Sequence, residues 1–265
     1  MKLSLAAWSL NKQFRDPVKP LVLLDLPALT REKFGLDAIE PVSRFFASTD
    51  SAYLKQLVGN ADRAGVTILN IAVDGGGDLS SDDQASREEG IKSYIQWIGV
   101  AKEMGVGAIR ANSGGKQMTD RDRAVKNCTE SFKRLCDEGK KQGVDIVIEN
   151  HWGLSADPDA MVAILEAIRK THGDVIGSLP DYGNWPKEVE RYGALQKILP
   201  YAKAVHAKVL DIDENLNHPA FDLAKCVGLT KDAGYDGYLG IEYEGQADAM
   251  ESVPRAIKKL SALIQ

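Results

Sequence analysis

Short apolar and β-branched runs alternate along this chain with longer stretches in which apolar residues return every three or four positions. The runs fall near residues 3–8, 35–41, 66–73, 106–112, 144–150, 175–181, 202–208 and 238–244. Each has the length of a strand. The stretches between them read as amphipathic helices. The clearest covers 82–104, opens at Asp82-Asp83 and places Ile91, Ile95, Ile98 and Ala101 on one side. Another covers 157–171, where Asp157 can cap the helix and Pro158 suits its first position. Several helices share one stop signal, a glycine followed by a β-branched or aromatic run. It occurs at Ala64-Gly65-Val66, Met104-Gly105-Val106, Gln142-Gly143-Val144 and Ala233-Gly234-Tyr235. Glycine there supplies the left-handed cap that turns the chain back. Gly65, Gly105 and Gly143 are 40 and 38 residues apart, which suits one strand plus one crossover helix.

Alternation of this kind predicts a parallel sheet with right-handed crossovers. Eight units predict an α/β fold of the closed (β/α)8 type, a TIM barrel, as one domain over residues 1–265. A doubly wound open sheet is the alternative, but it would want a nucleotide-binding fingerprint, and none is present.

Composition changes this picture little. The 265 residues are 44% hydrophobic and 27% charged, ordinary values for a globular chain. A net charge of -5 with both signs interspersed argues against a nucleic-acid partner. No apolar run approaches the ~20 residues of a membrane span. The opening MKLSLAAWSL resembles a short signal peptide but lacks a cleavage pattern, so a first buried strand explains it better. Cys128, Cys136 and Cys226 form no CxxC pair, which suits reduced thiols in a cytoplasmic setting; an exported form with its signal removed is also compatible. Cys128 and Cys136 lie eight apart on one helical pattern and are expected to pack in the core.

The chemistry is expected where barrel strands end at their carboxyl side. The fifth run ends in Glu149-Asn150-His151, the sixth leads to Asp181 and Asn184, the seventh carries His206 and Lys208, and the eighth Glu242 and Glu244. Alternation along a strand puts Glu149 with His151, His206 with Lys208, and Glu242 with Glu244. If Glu149, Asp181, His206 and Glu242 point inward, three carboxylates and an imidazole meet. They cannot all stay ionised without a counter-charge, and one divalent cation supplies it. The donor set predicts Mn²⁺ first, with Mg²⁺, Co²⁺ or catalytic Zn²⁺ as alternatives. Against this stands a plainer account, in which such residues cap helices or form ion pairs. His151 would then only steady a ligand, and Lys208 would pair with Asp181, Asp211 or Glu244.

Other features add candidates for substrate binding. Arg110 and Asn112 share one face after the fourth run, and Lys116 could meet an anionic group. Trp8, Trp152 and Trp185 lie at strand ends or in the loops beyond, where indoles cover sugar rings or pack loops. The stretch VDGGGDLSSDD could suggest a phosphate cradle, but Asp78, Asp82 and Asp83 would repel phosphate. A mobile lid or a plain loop is expected there instead.

The segments IENHWGLS, LPDYGNW, VHAKVLDID and GYLGIEYEG resemble the xylose isomerase-like TIM barrel superfamily, the sugar phosphate isomerase/epimerase group. The four strand-end residues follow one another at 32, 25 and 36 residues, as in that group. The resemblance implies that Glu149, Asp181, His206 and Glu242 bind one divalent metal and that Glu149 and Glu242 exchange protons on opposite faces of a sugar. It implies an isomerase or epimerase that deprotonates beside a carbonyl through a metal-held enediolate. Two positions depart from the group's ketose 3-epimerases, with Asn184 in place of a histidine and Ile212 in place of an arginine. Xylose isomerase uses an early histidine, and this chain has none before His151. Its four histidines, His151, His172, His206 and His218, are too few for a three-zinc nuclease. The departures, with His151 and Lys208 gained, open a second reading. This is a lyase or dehydratase in which the enediolate of a keto-sugar or 3-keto-glycoside expels a β-substituent and His151 assists it. A non-catalytic sugar-binding barrel is the third and has no use for paired glutamates. A small carbohydrate is the expected partner, with no membrane or nucleic acid; a homo-oligomer is compatible with the composition.

Overall fold

The structure, a computed structural model, describes residues 1–265. Its strands are β1 (Lys2–Ala6), β2 (Ala38–Glu40), β3 (Thr67–Ile68), β4 (Ile71–Ala72), β5 (Ala108–Ala111), β6 (Asp145–Glu149), β7 (Ile176–Leu179), β8 (Val205–Val209) and β9 (Tyr238–Tyr243). The helices are α1 (Asn11–Phe14), α2 (Leu26–Phe34), α3 (Ser51–Ala64), α4 (Gln84–Met104), α5 (Arg121–Gln142), α6 (Pro158–His172), α7 (Arg191–Ile198), α8 (Leu223–Asp232) and α9 (Ala249–Ile264). All strand pairs are parallel, in the orders β3-β2-β1-β9-β8 and β4-β5-β6-β7.

Backbone hydrogen bonds close both seams. Ala72 N donates to Pro41 O (2.8 Å) on one side, and His206 N to Pro180 O (2.9 Å) on the other. The result is the expected barrel of eight staves, with β3 and β4 forming one stave broken at Leu69-Asn70. The break has a polar cause. Asn70 is buried, and its side-chain amide donates to Glu40 Oε2 at 2.7 Å inside the barrel.

Helix boundaries follow the caps. Asp83 accepts from the amides of Ala85 and Ser86 to start α4, and Asp157 accepts from those of Asp159 and Ala160 to start α6. Gly65, Gly105 and Gly143 end α3, α4 and α5 with φ near +62°, +70° and +70°. Cys128 and Cys136 lie buried on α5. Apolar side chains fill the layer between staves and helices, with Leu5, Ile39, Ile146, Ile148 and Ile241 fully buried. No helix is long and apolar enough to cross a membrane.

Candidate active site

The carboxyl ends of β6 and β9, the amino-terminal half of β8 and the residues after β7 bring Glu149, Asp181, His206 and Glu242 together. One donor atom of each lies within 4.8 Å of all the others, and all four residues are buried. His206 Nδ1 stands 3.8 Å from both Glu149 Oε1 and Glu242 Oε2. Neither His206 Nδ1 nor Asp181 Oδ2 has a hydrogen-bond partner. A buried polar atom without a partner is costly, and here two of them belong to one cluster. Three carboxylate oxygens and one imidazole nitrogen are a donor set that fits Mn²⁺, Mg²⁺, Co²⁺ or Zn²⁺.

Neighbouring groups fix each member of the cluster. Asp181 Oδ1 accepts from the backbone N–H of Gly183 (2.7 Å) and of Asn184 (2.8 Å), which leaves Oδ2 for the centre. Asn150 ties two staves together, donating to Asp181 O (2.9 Å) and accepting from Asp181 N (2.7 Å). The Asn184 amide donates to Glu149 Oε1 at 3.0 Å. His206 Nε2 lies 2.8 Å from Glu40 Oε2, while Glu40 also accepts from Ser4 Oγ (2.6 Å) and Asn70. Such a partner fixes the imidazole's tautomer and orientation and turns Nδ1 to the cluster.

The charges are strongly interdependent. Burial opposes the His206 imidazolium, but Glu40, Glu242 and Glu149 outweigh burial and hold its pKa up to about 10. Burial likewise raises Glu40, yet His206 and the three hydrogen bonds bring it below the usual carboxylate value. Asp181 is pushed well above that value by burial and by Glu242 and Glu149, against the pull of Lys208. Glu242 goes the other way, to about 2, because Lys208 and His206 overcome its burial. Lys208 contacts Glu242 Oε2 and lies 3.1 Å from Glu244 Oε2 and 3.8 Å from Asp181 Oδ2. Its ion pairs are thus with Glu242, Glu244 and Asp181; Asp211 instead accepts from Tyr243.

A cavity of about 270 Å³ opens above the cluster. This is near the small end of small-molecule sites. Trp8, Asn112, His151, Trp152, Lys208 and Glu244 line it together with Glu149, His206 and Glu242. His151 is exposed, and its imidazole makes no hydrogen bond to the cluster; its backbone N–H donates to Ser155 Oγ. Arg110 also reaches the lining, but its guanidinium is already engaged by Val73 O, Asn112 Oδ1 and Asp74 Oδ1, at 3.1, 2.9 and 3.0 Å. Its Nε lies 3.2 Å from Glu149 Oε2, an ion-pair distance, although the N–H is not aimed at the carboxylate. Lys116 sits over the Trp152 ring, 4.4 Å from its centroid.

Two expected substrate contacts lie elsewhere. Trp185 is 7% exposed, packs in the core and does not line the cavity. Asn184 also stays out of the lining and meets Glu149 instead. The glycine-rich stretch after β4 forms neither a phosphate cradle nor a detached lid. Asp78 accepts from the N–H groups of Ser80 (2.9 Å) and Gly115 (3.2 Å), and Leu154 N donates to Gly114 O (3.1 Å). Three loops are thereby knitted into one wall. A Cβ on Gly114 would lie 1.9 Å from Asp78 Oδ1, and one on Gly153 would lie 2.1 Å from Gly114 O.

Glu40 was not among the expected site residues, nor were Arg44 and Asp74, which line the cavity as an ion pair at 3.0 Å. The one available signal for Glu40 is a carboxylate closing an otherwise apolar strand.

The closed barrel thus carries at its mouth a buried cluster that could hold a cation. The chain belongs to the xylose isomerase-like TIM barrel family, whose profile matches residues 31–263. It is 45% identical over 71 residues to the C-glycoside deglycosidase alpha subunit of Arthrobacter globiformis. That match covers 26% of this chain and spans about a fifth, 20%, of the relative's length. Among solved structures, an L-ribulose 3-epimerase superposes with a TM-score of 0.80 at 16% identity, over 100% of this chain and 95% of that one. The 3-keto-D-glucoside 4-epimerase of E. coli gives 0.76 at 14%, over 99% and 98%. The IolI protein, with a bound zinc atom, gives 0.77 at 16%, over 100% and 98%. At these identities the superpositions speak for the fold.

Proposed function

We propose that the protein is a divalent-metal-dependent sugar isomerase or epimerase that removes the proton beside a carbonyl. The observation carrying this reading is the buried cluster of Glu149, Asp181, His206 and Glu242, with His206 Nδ1 and Asp181 Oδ2 unpartnered within it. These four residues would hold the ion, Mn²⁺ by our assignment, which when bound supplies Lewis-acid polarisation of a carbonyl. The remaining work falls to the chain. Glu149 or Glu242 takes the α-proton, and the other carboxylate returns one to the opposite face or the neighbouring carbon. Asn184 and Arg110 hold Glu149 in place. The Lys208 ammonium meets negative charge developing on the substrate oxygen. Trp8 and Trp152 cover the ring, and Asn112 and Glu244 bind hydroxyl groups. The epimerase names among the fold relatives support a carbohydrate substrate.

A second reading shares the proton abstraction and ends in β-elimination from a 3-keto-glycoside. The match to a deglycosidase subunit favours it. So does His151, which stands at the cavity rather than on a ligand and can protonate a leaving group.

One experiment tests both. The Mn²⁺-loaded protein is incubated in D₂O with ketoses, inososes and 3-keto-glycosides. Deuterium at the α-carbon with an isomerised or epimerised skeleton supports the first reading; release of water or aglycone supports the second. Absence of exchange with every substrate, in protein shown to hold metal, would sink both. Glu149→Gln is expected to abolish exchange, and retained exchange would remove Glu149 as the base.

A further inference from the structure

Lys208 occupies an unusual position. Its ammonium is bonded to Glu242 Oε2, the same oxygen that faces His206 Nδ1 across 3.8 Å. It lies 3.8 Å from Asp181 Oδ2, the unpartnered oxygen of the second ligand. One cation of the chain therefore touches, or nearly touches, two of the oxygens a metal would need. The side chain is 6% exposed, and its stem runs beside Gly183. A Cβ on Gly183 would lie 2.4 Å from Lys208 Cγ and 2.6 Å from its Cβ. The turn after β7 is thus shaped to admit this stem, and its Gly183 and Asn184 amides also aim Asp181.

We propose that Lys208 is a positioning residue that acts as the resident counter-ion of the cluster, holding Glu242 and Asp181 in place until a dication takes its role. Like charges packed in a buried space repel strongly, and an ammonium within ~4 Å relieves that repulsion. A dication at the four donors competes with Lys208 for Glu242 Oε2. The ammonium then keeps Glu244, 3.1 Å away, and the cavity it already lines. Metal loading and exposure of the ammonium to substrate become one linked event. Linkage is reciprocal, so whatever the dication does to Lys208, Lys208 does to dication affinity. The inference rests on the four-residue cation site of the proposed function and is independent of the sugar chemistry.

The test uses the full chain and Mn²⁺ alone, with no substrate. Lys208→Met keeps the stem and removes the charge. Mn²⁺ affinity, measured by calorimetry or chelator competition, is expected to tighten on the order of tenfold, within the usual range for coupled sites. The melting temperature of the metal-stripped protein is expected to fall, so that Mn²⁺ raises it by more than in the wild type. Lys208→Arg, which retains the charge, is expected to restore metal-free stability. If Lys208→Met folds only with Mn²⁺, that is the same result in its extreme form, and affinity is read by chelator competition on the loaded protein. Unchanged or weaker Mn²⁺ affinity in Lys208→Met, with normal binding by the wild type, overturns the role of Lys208 alone. A wild type that binds no divalent ion overturns this role together with the cation site.

Discussion

Dication binding should release protons, and the donors themselves dictate how many. His206 is held protonated in the metal-free protein, with burial opposed by Glu40, Glu242 and Glu149 and a pKa of about 10. Its Nδ1 is the nitrogen that faces the cluster. A dication and a proton cannot share that lone pair, so binding expels the proton. At pH 7 the imidazole lies about three pH units below its midpoint. Each unit is worth about 1.36 kcal/mol, so proton competition costs about 4 kcal/mol of apparent affinity there. Affinity should rise at least about tenfold per pH unit from pH 6.5 to 8.5, the slope that one released proton gives. Asp181, raised by burial and by its carboxylate neighbours, adds to the release and acts in the same direction. Mn²⁺ titration calorimetry in buffers of different ionisation enthalpy counts these protons. About one to two are expected at pH 7, and fewer than about half a proton, or an affinity flat in pH, would refute the reasoning.

Other consequences can be checked on the same protein. Since the His206 pKa of about 10 exceeds the ordinary value of 6.5, its pairing stabilises the metal-free fold fully below about pH 6.5 and fades as pH climbs toward 10. Melting temperatures of the stripped protein should therefore fall across that window, while those of the Mn²⁺ form should fall less. Gly240→Ala would place a Cβ 2.5 Å from Glu40 Oε1 and 2.7 Å from His206 Cδ2. The overpacking should cost about 1–3 kcal/mol in a urea melt, and an unchanged midpoint would mean that this part of the barrel yields easily. Gly114→Ala combines a φ of +82° with the clash on Asp78. It should destabilise by more than about 1 kcal/mol and raise KM more than it lowers kcat, since it disturbs the wall and not the cluster.

The barrel was readable because its signals are local. A glycine at φ near +70° ends a helix whatever lies far away, and a short β-branched run bounded by such glycines reads as a strand from its own neighbours. The four-residue cluster was legible for a related reason, since consecutive staves each carry a residue able to bind metal at or near the mouth. Glu40 escaped because its meaning comes from His206, 166 positions later, and from Asn70, which breaks the third stave to reach it. Trp185 and Asn184 show the opposite limit. Both follow the sixth run closely, but Trp185 packs in the core and Asn184 donates to Glu149, contacts made with residues far away in sequence. Arg110 was expected to meet substrate, yet the acceptors it already has become visible only once β4 and β5 lie side by side.

The knitted loops after β4, β5 and β6 leave a mark on how this site can change. Gly114 and Gly153 have no room for a side chain, and Asp78 is committed to the neighbouring loop. An insertion or bulky replacement in any one loop must be answered in the other two at once. Single substitutions that retune specificity should therefore collect on the opposite bank, around Trp8 and Arg44, where the lining rests on stacking, one ion pair and the Trp8 Nε1–Glu244 hydrogen bond. One half of the mouth is a fixed jaw, and the other is where this barrel can acquire new substrates.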